Sequence, residues 1–533
     1  MIPPNLKNRQ KILYQTVFLF FILVSVRLFY WQIIQGSTLK KIAESQLYRL
    51  EKIKPDIGKI FSSDQFPLVT NETKYQLSLY KPNIKNLPEV IVLINTLISD
   101  PTSKNQSLLA NFQNSPSQKW ITLPKTVEAS QASQLQNTGV LVEKIQSRFY
   151  PENNLALPIL ARVEKYYQKQ LSGRLGYSLV PKDALGQSLL TQKSWQMDPV
   201  PGQNLYLSLN RQIQFLSEQT LAAGLSKYVA DSGSISIMDP KTGQILAITS
   251  LVSTSSASPS ATFASLSALT DLFEPGSIFK PLVVAMALDS NSIKPDYVCS
   301  ECQKPLIIDS YTIQNWNQEI HPDSPLRDII KNSDNVGMSL IIRQLGLTNF
   351  LKYFKLLSLH QKTNIDLPGE AKPILKDYWA NIDLATASFG QGFAINQIQM
   401  LSAFNALANN GLWVRPKVAI QSKTENKSNI QIFKPATISI VNTILKYAVE
   451  NGAISQLKPK NLEVCAKSGT AQVAVKGGYT DSQTTASYIG FSPCTNPKFT
   501  MIITINNPKS SPWGSSTAAP LWFELAEKIT PLL

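Results

Sequence analysis

The stretch Glu274-Pro275-Gly276-Ser277-Ile278-Phe279-Lys280-Pro281-Leu282 sets a hydroxyl and an amine three residues apart. Pro-Gly makes a turn. The apolar run Leu282–Leu288, bounded by Asp289 and Asn291, reads as a buried helix that starts there. Ser277 then stands at the helix N-terminus, with Lys280 on the same face. Such a pair works as nucleophile and base when the amine is neutral, a state that burial or a neighbouring cation favours. Alone, S-x-x-K is equally a Ser cap beside an exposed Lys. Two later triplets add weight: Ser333-Asp334-Asn335 within Lys331–Gly337, and Lys467-Ser468-Gly469-Thr470 within Ala466–Gln472. Taken singly, the first is a helix cap or turn and the second an ordinary strand start.

The elements that must hold these groups belong to a chain of 533 residues, long enough for two or three domains, with a net charge of +15. That charge suits an anionic neighbour such as a bilayer surface or a cell wall. Basic stripes with interleaved aromatics are lacking, which argues against nucleic acid as a partner. Cys299-Ser300-Glu301-Cys302 is a lone C-x-x-C without a second close pair, which argues against a four-ligand zinc site. It leaves a local disulfide or two buried thiols open. His321 and His360 are the only histidines and occupy polar stretches, so neither a His-based triad nor a metal cluster is expected.

After a short basic start, residues 1–11, the segment from Ile12 to Ile34 is apolar enough to cross a bilayer core of about 30 Å. The bulky residues Leu28-Phe29-Tyr30-Trp31-Gln32-Ile33-Ile34 follow its uncharged centre, Val17–Val26, where a cleaved leader would have small ones, so it reads as an uncleaved anchor. Tyr30 and Trp31 fit the outer aromatic belt. Arg27 reads either as a side chain snorkelling to that interface or as the contact for another membrane protein. A helical stalk is expected over Leu39–Leu50, and short strands with polar loops from Lys54 to Val180. From Pro199 onward the pattern predicts a strand at Leu205–Leu209, a helix carrying Ile213, Leu216, Leu221 and Leu225, and a hairpin of Ser234–Asp239 with Gln244–Thr249. Strands at Asn461–Val473, Ala486–Ser492 and Phe499–Asn506 and a helix at Ala518–Ile529 close the chain. Ser253–Thr262 reads as a flexible Ser-rich loop. Strands at both ends with helices between give an α+β domain.

In order, S-x-x-K, S-x-N and K-[TS]-G form the established signature of penicillin-binding proteins and serine β-lactamases, and the chain resembles that family. With an anchor and no glycosyltransferase domain it is most similar to the class B members. The stretch Thr485–Pro493 followed by Asn496-Pro497-Lys498-Phe499 looks like their division-specific branch. The resemblance implies an antiparallel sheet with a helical cluster holding Ser277 and Ser333, and a β-rich pedestal before it. The divisions expected are a cytoplasmic tail 1–11, an anchor 12–34, a stalk and dimerisation-type pedestal 35–198 and a transpeptidase domain 199–533. Ile57–Gln65 keeps the register of a family segment but loses its Arg and its Asp-Arg-Asn-Gly turn. Arg148-Phe149-Tyr150-Pro151, Leu171–Gly176, Ser388–Gly392 and Ala406–Gly411 look like family landmarks, with Asn396 and Asn410 departing from the usual Thr and Gly.

The resemblance further implies that Ser277 attacks a D-Ala-D-Ala stem peptide while Lys280 takes its proton. Ser333 relays a proton to the leaving amine, and Asn335 holds Lys280 and the substrate amide. Lys467 adds a positive charge that favours the neutral Lys280, and Lys467, Ser468, Gly469 and Thr470 bind the substrate, including its carboxylate. The backbone N–H groups of Ser277 and Thr470 form the oxyanion hole. No cofactor or metal is implied. The expected product is cross-linked peptidoglycan, with covalent inhibition by β-lactams and action beside a SEDS-family glycosyltransferase and division proteins. The chain would be a single-pass membrane protein with its N-terminus cytoplasmic and its bulk outside. A D,D-carboxypeptidase, a β-lactamase or a lateral-wall transpeptidase are the alternatives. Glu370 in Pro368–Pro373 does not fit the E-x-x-L-N pattern of the class A hydrolases. A β-lactam sensor would need a cytoplasmic signalling part, for which residues 1–11 leave no room.

Overall fold

The computed structural model describes residues 4–98, 103–181, 195–253, 261–263, 265–420, 429–475 and 478–533. The chain forms two compact units. The first comprises residues 1–58 and 172–203. It begins with helix α1 (Pro4–Phe29), which runs on through a wider turn at Tyr30–Ile34. Over Asn8–Ile34 this rod is long and apolar enough to cross a membrane, and its side chains are exposed throughout. The Arg27 guanidinium lies 5.8 Å from the Tyr30 ring and 5.3 Å from that of Trp31, so the cation is engaged by its own helix's aromatic end. A second helix, Gly36–Leu47, takes the place of the expected stalk and gives way to a strand at Tyr48. The unit's three-stranded antiparallel sheet has Gly176–Pro181 between Tyr48–Ile53 and Trp195–Met197.

The second unit holds residues 59–171 and 204–533. Its first part is organised on one long strand, Pro67–Tyr80, which pairs with Ile60–Phe61, Trp120–Thr122 and Leu141–Phe149. Sequence reading anticipated short strands and loops here. The structure adds helices at Leu87–Leu97, Ser103–Asn114 and Leu157–Tyr166. Val90, Ile91 and Ile94 bury one face of the first against Leu77, Leu79 and Phe112, a helical spacing that follows Pro88 at the first turn. Ile57–Gln65 keeps its turn without the family residues. Ser62 N donates to Phe66 O at 2.9 Å, the Ser62 hydroxyl bonds Asp64, and Gln65 takes the left-handed conformation.

The second part is built on a six-stranded antiparallel sheet: β1 (Ser232–Met238), β2 (Ile245–Ser253), β3 (Ala261–Phe263), β4 (Cys465–Val475), β5 (Gly478–Ser492) and β6 (Phe499–Asn506), in the spatial order β3-β2-β1-β6-β5-β4. Residues 254–260 of the expected Ser-rich loop lie outside the described residues, and Ala261–Phe263 is a strand. The alternation Ser234-Ile235-Ser236-Ile237 sends its two side-chain types to opposite faces. Ile235, Ile237, Met501, Ile503 and Ile505 join a core with α2 (Arg211–Tyr228) and the C-terminal helix Ala518–Ile529. Ser236, Thr500 and Thr504 face helix Gln397–Ala408 and are just as buried. They are satisfied by Gln397 (to Ser236 Oγ 2.6 Å, to Thr504 Oγ1 3.0 Å) and by Asn405 (to Thr500 Oγ1 2.7 Å). The sheet is therefore covered on both sides, one interface apolar and the other mixed, where hydrogen-bonded polar groups sit beside Ile502 and the Phe404–Phe491 contact. Leu205–Tyr206 is shorter than the predicted strand and pairs parallel with Ile60–Phe61. The strand expected from Asn461 begins at Cys465, and its partner extends back to Gly478 because the two form one hairpin.

Asp366 fastens the two parts of this unit together. Its buried carboxylate accepts from Val418 N (2.6 Å), Ala419 N (2.8 Å) and the Tyr167 hydroxyl (2.6 Å). Truncation leaves two backbone N–H groups unsatisfied. Asp366→Ala should therefore lose about 3 kcal/mol, read as a lowered midpoint in thermal unfolding, with Asp366→Asn losing less. Equal midpoints for the wild type and the Ala variant would refute the tie.

Candidate active site

Pro275 starts a tight turn, Gly276–Phe279, that leads straight into α3 (Lys280–Asp289), and the Lys280 N–H donates to Ser277 O. Ser277 thus sits on the turn before the helix, two residues ahead of the cap position Phe279 and not at the helix N-terminus itself, and is half-buried. Gly276 is left-handed (φ 61°) and its N–H donates to Gly390 O at 2.9 Å. A Cβ on Gly390 would stand 2.3 Å from Gly276 O, so glycine is required for this approach. Gly392 N donates to Glu274 Oε1 at 3.0 Å, and Phe273 pairs with Ile395. Ser388–Gly392 is accordingly the buttress of the Ser277 turn. Beneath it Phe279 packs edge-on against Phe350, Phe354 and Phe393, which fixes where α3 begins.

That packing carries Lys280 into the interior, with 0 % exposure. Its Nζ lies 2.6 Å from Ser333 O, 2.7 Å from Asn335 Oδ1 and 3.2 Å from Ser333 Oγ. Burial first, then the charge of Lys467, hold its pKa well below the usual lysine range, and Asp334 acts in the opposite direction. A neutral amine offers two N–H groups and a lone pair. The Ser333 carbonyl and the Asn335 amide oxygen can only accept, so they take the two N–H groups and leave the lone pair to a hydroxyl.

Ser333-Asp334-Asn335 links helix Leu326–Lys331 to α4 (Asn335–Leu356). Ser333 is left-handed (φ 55°), a conformation that turns its carbonyl to Lys280 and costs about 1–2 kcal/mol for a residue with a Cβ. Asp334 caps α4, accepting from Gly337 N at 2.8 Å. Asn315 Oδ1 accepts from Asn335 N at 2.7 Å, while Asn315 Nδ2 donates to Asp334 Oδ2 at 3.1 Å.

The third motif lies on β4, the sheet's edge strand. Lys467 is 5 % exposed and donates to Ser468 O at 2.9 Å, and burial lowers its pKa to about 8. The strand meets the Ser277 turn closely. A Cβ on Gly469 would stand 2.8 Å from Ile278 Cγ2, and one on Gly514 would stand 2.2 Å from Gly469 O. Gly514 N donates to Thr470 Oγ1 at 3.0 Å. Beside Gly514 the Trp513 ring meets Trp316, neighbour of Asn315, at 4.7 Å between centroids. One aromatic contact therefore joins the wall that carries Ser333 to the wall that carries Lys467. Cys465–Cys494 is a disulfide that ties the start of β4 to the segment after β5, and Cys299–Cys302 is a second.

The three motifs thus converge, with Lys280 touching Ser333 and Asn335 and Ile278 abutting Gly469. Sequence reading missed Asn315, Gly514 and the Trp316–Trp513 pair, none of which lies in a pattern of its own, and it gave Gly390 no role beyond its place in the landmark Ser388–Gly392. The left-handed Asn410 and the capping Asn396, which accepts from Gln399 N at 2.9 Å, show why asparagine serves at both departures from the family residues.

Residues 233–529 match the penicillin binding protein transpeptidase domain, and residues 52–163 match the penicillin-binding protein dimerisation domain. The chain is 26% identical to the stage V sporulation protein D of Bacillus subtilis, over 97% of this chain and 85% of that one. It is 25% identical to the peptidoglycan D,D-transpeptidase FtsI of Buchnera aphidicola, over 98% and 95%. Among solved structures, the complex between penicillin-binding protein PBP2 and MreC from Helicobacter pylori shares the fold with a TM-score of 0.71 at 20% identity, covering 91% of this chain and 99% of that one. The chain belongs to the class B penicillin-binding proteins. Its activity is that of a peptidoglycan D,D-transpeptidase.

The Lys467 value carries a pH prediction. Below about 8 Lys467 holds its proton and its charge, and above it the charge is lost. The rate of acylation by a carboxylate-bearing fluorescent penicillin should fall on the alkaline side with a midpoint about 8. Lys467→Arg, which stays charged, should move that limb to higher pH. An unmoved limb would assign it to another group.

Proposed function

We propose that Ser277 is the nucleophile and Lys280 its general base in a membrane-anchored, division-associated transpeptidase. The observation that carries this reading is the buried Lys280 amine, one turn after Ser277 and held by Ser333 O and Asn335 Oδ1. Ser277 Oγ bonds to the carbonyl carbon of the penultimate D-Ala as its proton passes to Lys280. The peptide C–N bond then breaks, the proton reaches the leaving amine through Ser333, and D-Ala departs. The acyl group next moves to an amine of a second stem peptide, which completes the cross-link. Asn335 orients Lys280 and the substrate amide. Lys467, Ser468, Gly469 and Thr470 receive the substrate's terminal carboxylate and place its backbone along β4, with the Ser277 and Thr470 N–H groups as oxyanion donors. A β-lactam would enter by the same acylation and stay bound to Ser277.

The hydrolase alternative needs a carboxylate that drives water. The buried Glu370 carboxylate is occupied in its own loop, by Thr363 N and Oγ1 (2.7 and 2.8 Å) and by Asn364 N (3.1 Å). The domain reading is a cytoplasmic tail 1–11, anchor 12–34, stalk and pedestal 35–198 and transpeptidase domain 199–533. Two disulfides support placing the bulk on the oxidising side of the membrane. The septal role is supported by relatives named FtsI, and a SEDS-family glycosyltransferase is the proposed source of glycan strands. The neighbour solved with MreC shows that this fold assembles with other proteins in at least one case.

With fluorescent penicillin and mass mapping, the label should fall on Ser277 alone, and Ser277→Ala should abolish it. Lys280→Arg should be nearly as damaging as Lys280→Ala, because Arg keeps the charge but does not release its proton. Label retained in Ser277→Ala, or acylation of Lys280→Arg near the wild-type rate, would overturn the respective role.

A further inference from the structure

We propose that His321 is a positioning residue for the transfer reaction, acting through Asp334 on the Ser333–Asn335 turn and on the electrostatic field at Lys280. This rests on the reading of Lys280 as the base. Asp334 is 1 % exposed and both its oxygens are committed. Oδ1 caps α4, while Oδ2 accepts from Asn315 Nδ2 at 3.1 Å and from His321 Nδ1 at 2.8 Å. The loop that bears His321 also grips the neighbouring residue, since Asn335 N donates to Asn315 Oδ1 (2.7 Å) and Asn335 Nδ2 donates to Gln314 O (3.1 Å). Asp334 is thereby clamped between Ser333 and Asn335, the two residues that hold Lys280 Nζ.

The clamp has an electrostatic side. A buried carboxylate on the residue between the two that hold the amine favours the ammonium, against the burial and the Lys467 charge that favour the neutral form. An N–H of His321 aimed at Oδ2 draws that negative charge toward itself and away from Lys280. The ionisable groups that face the His321 ring are Asp334, on the turn before α4, and Glu319, on its own loop with Oε2 3.5 Å from Nε2. Beyond Asp334 stand Lys280 and, across the cleft, Lys467.

The test uses the full chain, with fluorescent penicillin as the probe. His321→Phe keeps a planar ring and removes the N–H. Acylation should become about tenfold slower on the acid side of the optimum, with the acid limb displaced to higher pH and the non-covalent dissociation constant little changed. His321→Asn places an amide N–H where Nδ1 stood and should restore both rate and limb. An unchanged rate and limb in the Phe variant overturns the proposal. So does a loss that is uniform across pH and not restored by Asn, which is the mark of a purely structural role. If the Phe variant does not fold, Asp334→Asn decides: removing the charge while keeping the cap should displace the acid limb to lower pH, and an unmoved limb overturns the proposal. Label on a residue other than Ser277 in the wild type would instead bring down the parent reading.

Discussion

A lysine ammonium carried into a protein interior without a counter-charge costs several kcal/mol. The three oxygens around Lys280 Nζ are all neutral, two of them pure acceptors. Three acceptors could equally serve the three N–H groups of an ammonium, so it is burial and the Lys467 charge, against Asp334, that favour the neutral amine. That constraint reaches outward through the whole site. Phe279 must be packed so that α3 starts where it does, and Ser333 must adopt a left-handed backbone to present its carbonyl. Asp334 must cap α4 at the next residue, so that the cost of the Ser333 conformation is offset by a cap and two side-chain hydrogen bonds. The neutral form of Lys280 is thus favoured first by burial, with the neighbouring cation of Lys467 as a second influence.

The three walls come from three kinds of structure. A turn entering a buried helix supplies Ser277, a junction between two helices supplies Ser333 and Asn335, and a sheet edge supplies Lys467 to Thr470. None of these could be adjusted alone. The sheet is held from below by an apolar interface with α2 and the C-terminal helix, and from above by hydrogen bonds from Gln397 and Asn405. A sheet buried on both faces is a rigid base, and the edge strand it presents keeps a fixed register: Lys467 lies opposite Ile489 and Thr470 opposite Ala486.

Much of this was legible in the sequence, because the chemistry demands particular residue types at short, fixed spacings. S-x-x-K survives as a pattern since one helical turn separates its members, and the terminal helix Ala518–Ile529 was read to the residue from its apolar spacing. What could not be read depends on contacts between segments far apart in the chain. Asn315 and His321 show no periodicity of their own and gain meaning only when the loop folds onto Asp334. Cys465 and Cys494 are 29 residues apart and become partners because β4 and β5 form a hairpin. The helix Leu87–Leu97 was overlooked for a different reason: its run of Leu, Val and Ile is equally a strand composition, and only the burial of Val90, Ile91 and Ile94 decides for the helix.

The glycine contacts around Ser277 also bear on how the chain can evolve. Gly390 and Gly514 back onto carbonyl oxygens at distances no side chain survives, and Gly469 faces the Ser487 hydroxyl and Ile278. The floor of the cleft is therefore closed to substitution, whatever selection acts on it. A lineage exposed to a covalent inhibitor has to seek escape at the rim, where Trp316 and Trp513 are 58 % and 39 % exposed and meet ring to ring. Adaptive change in this enzyme should accumulate in the two tryptophans and the loops that carry them, while the glycine floor stays as it is.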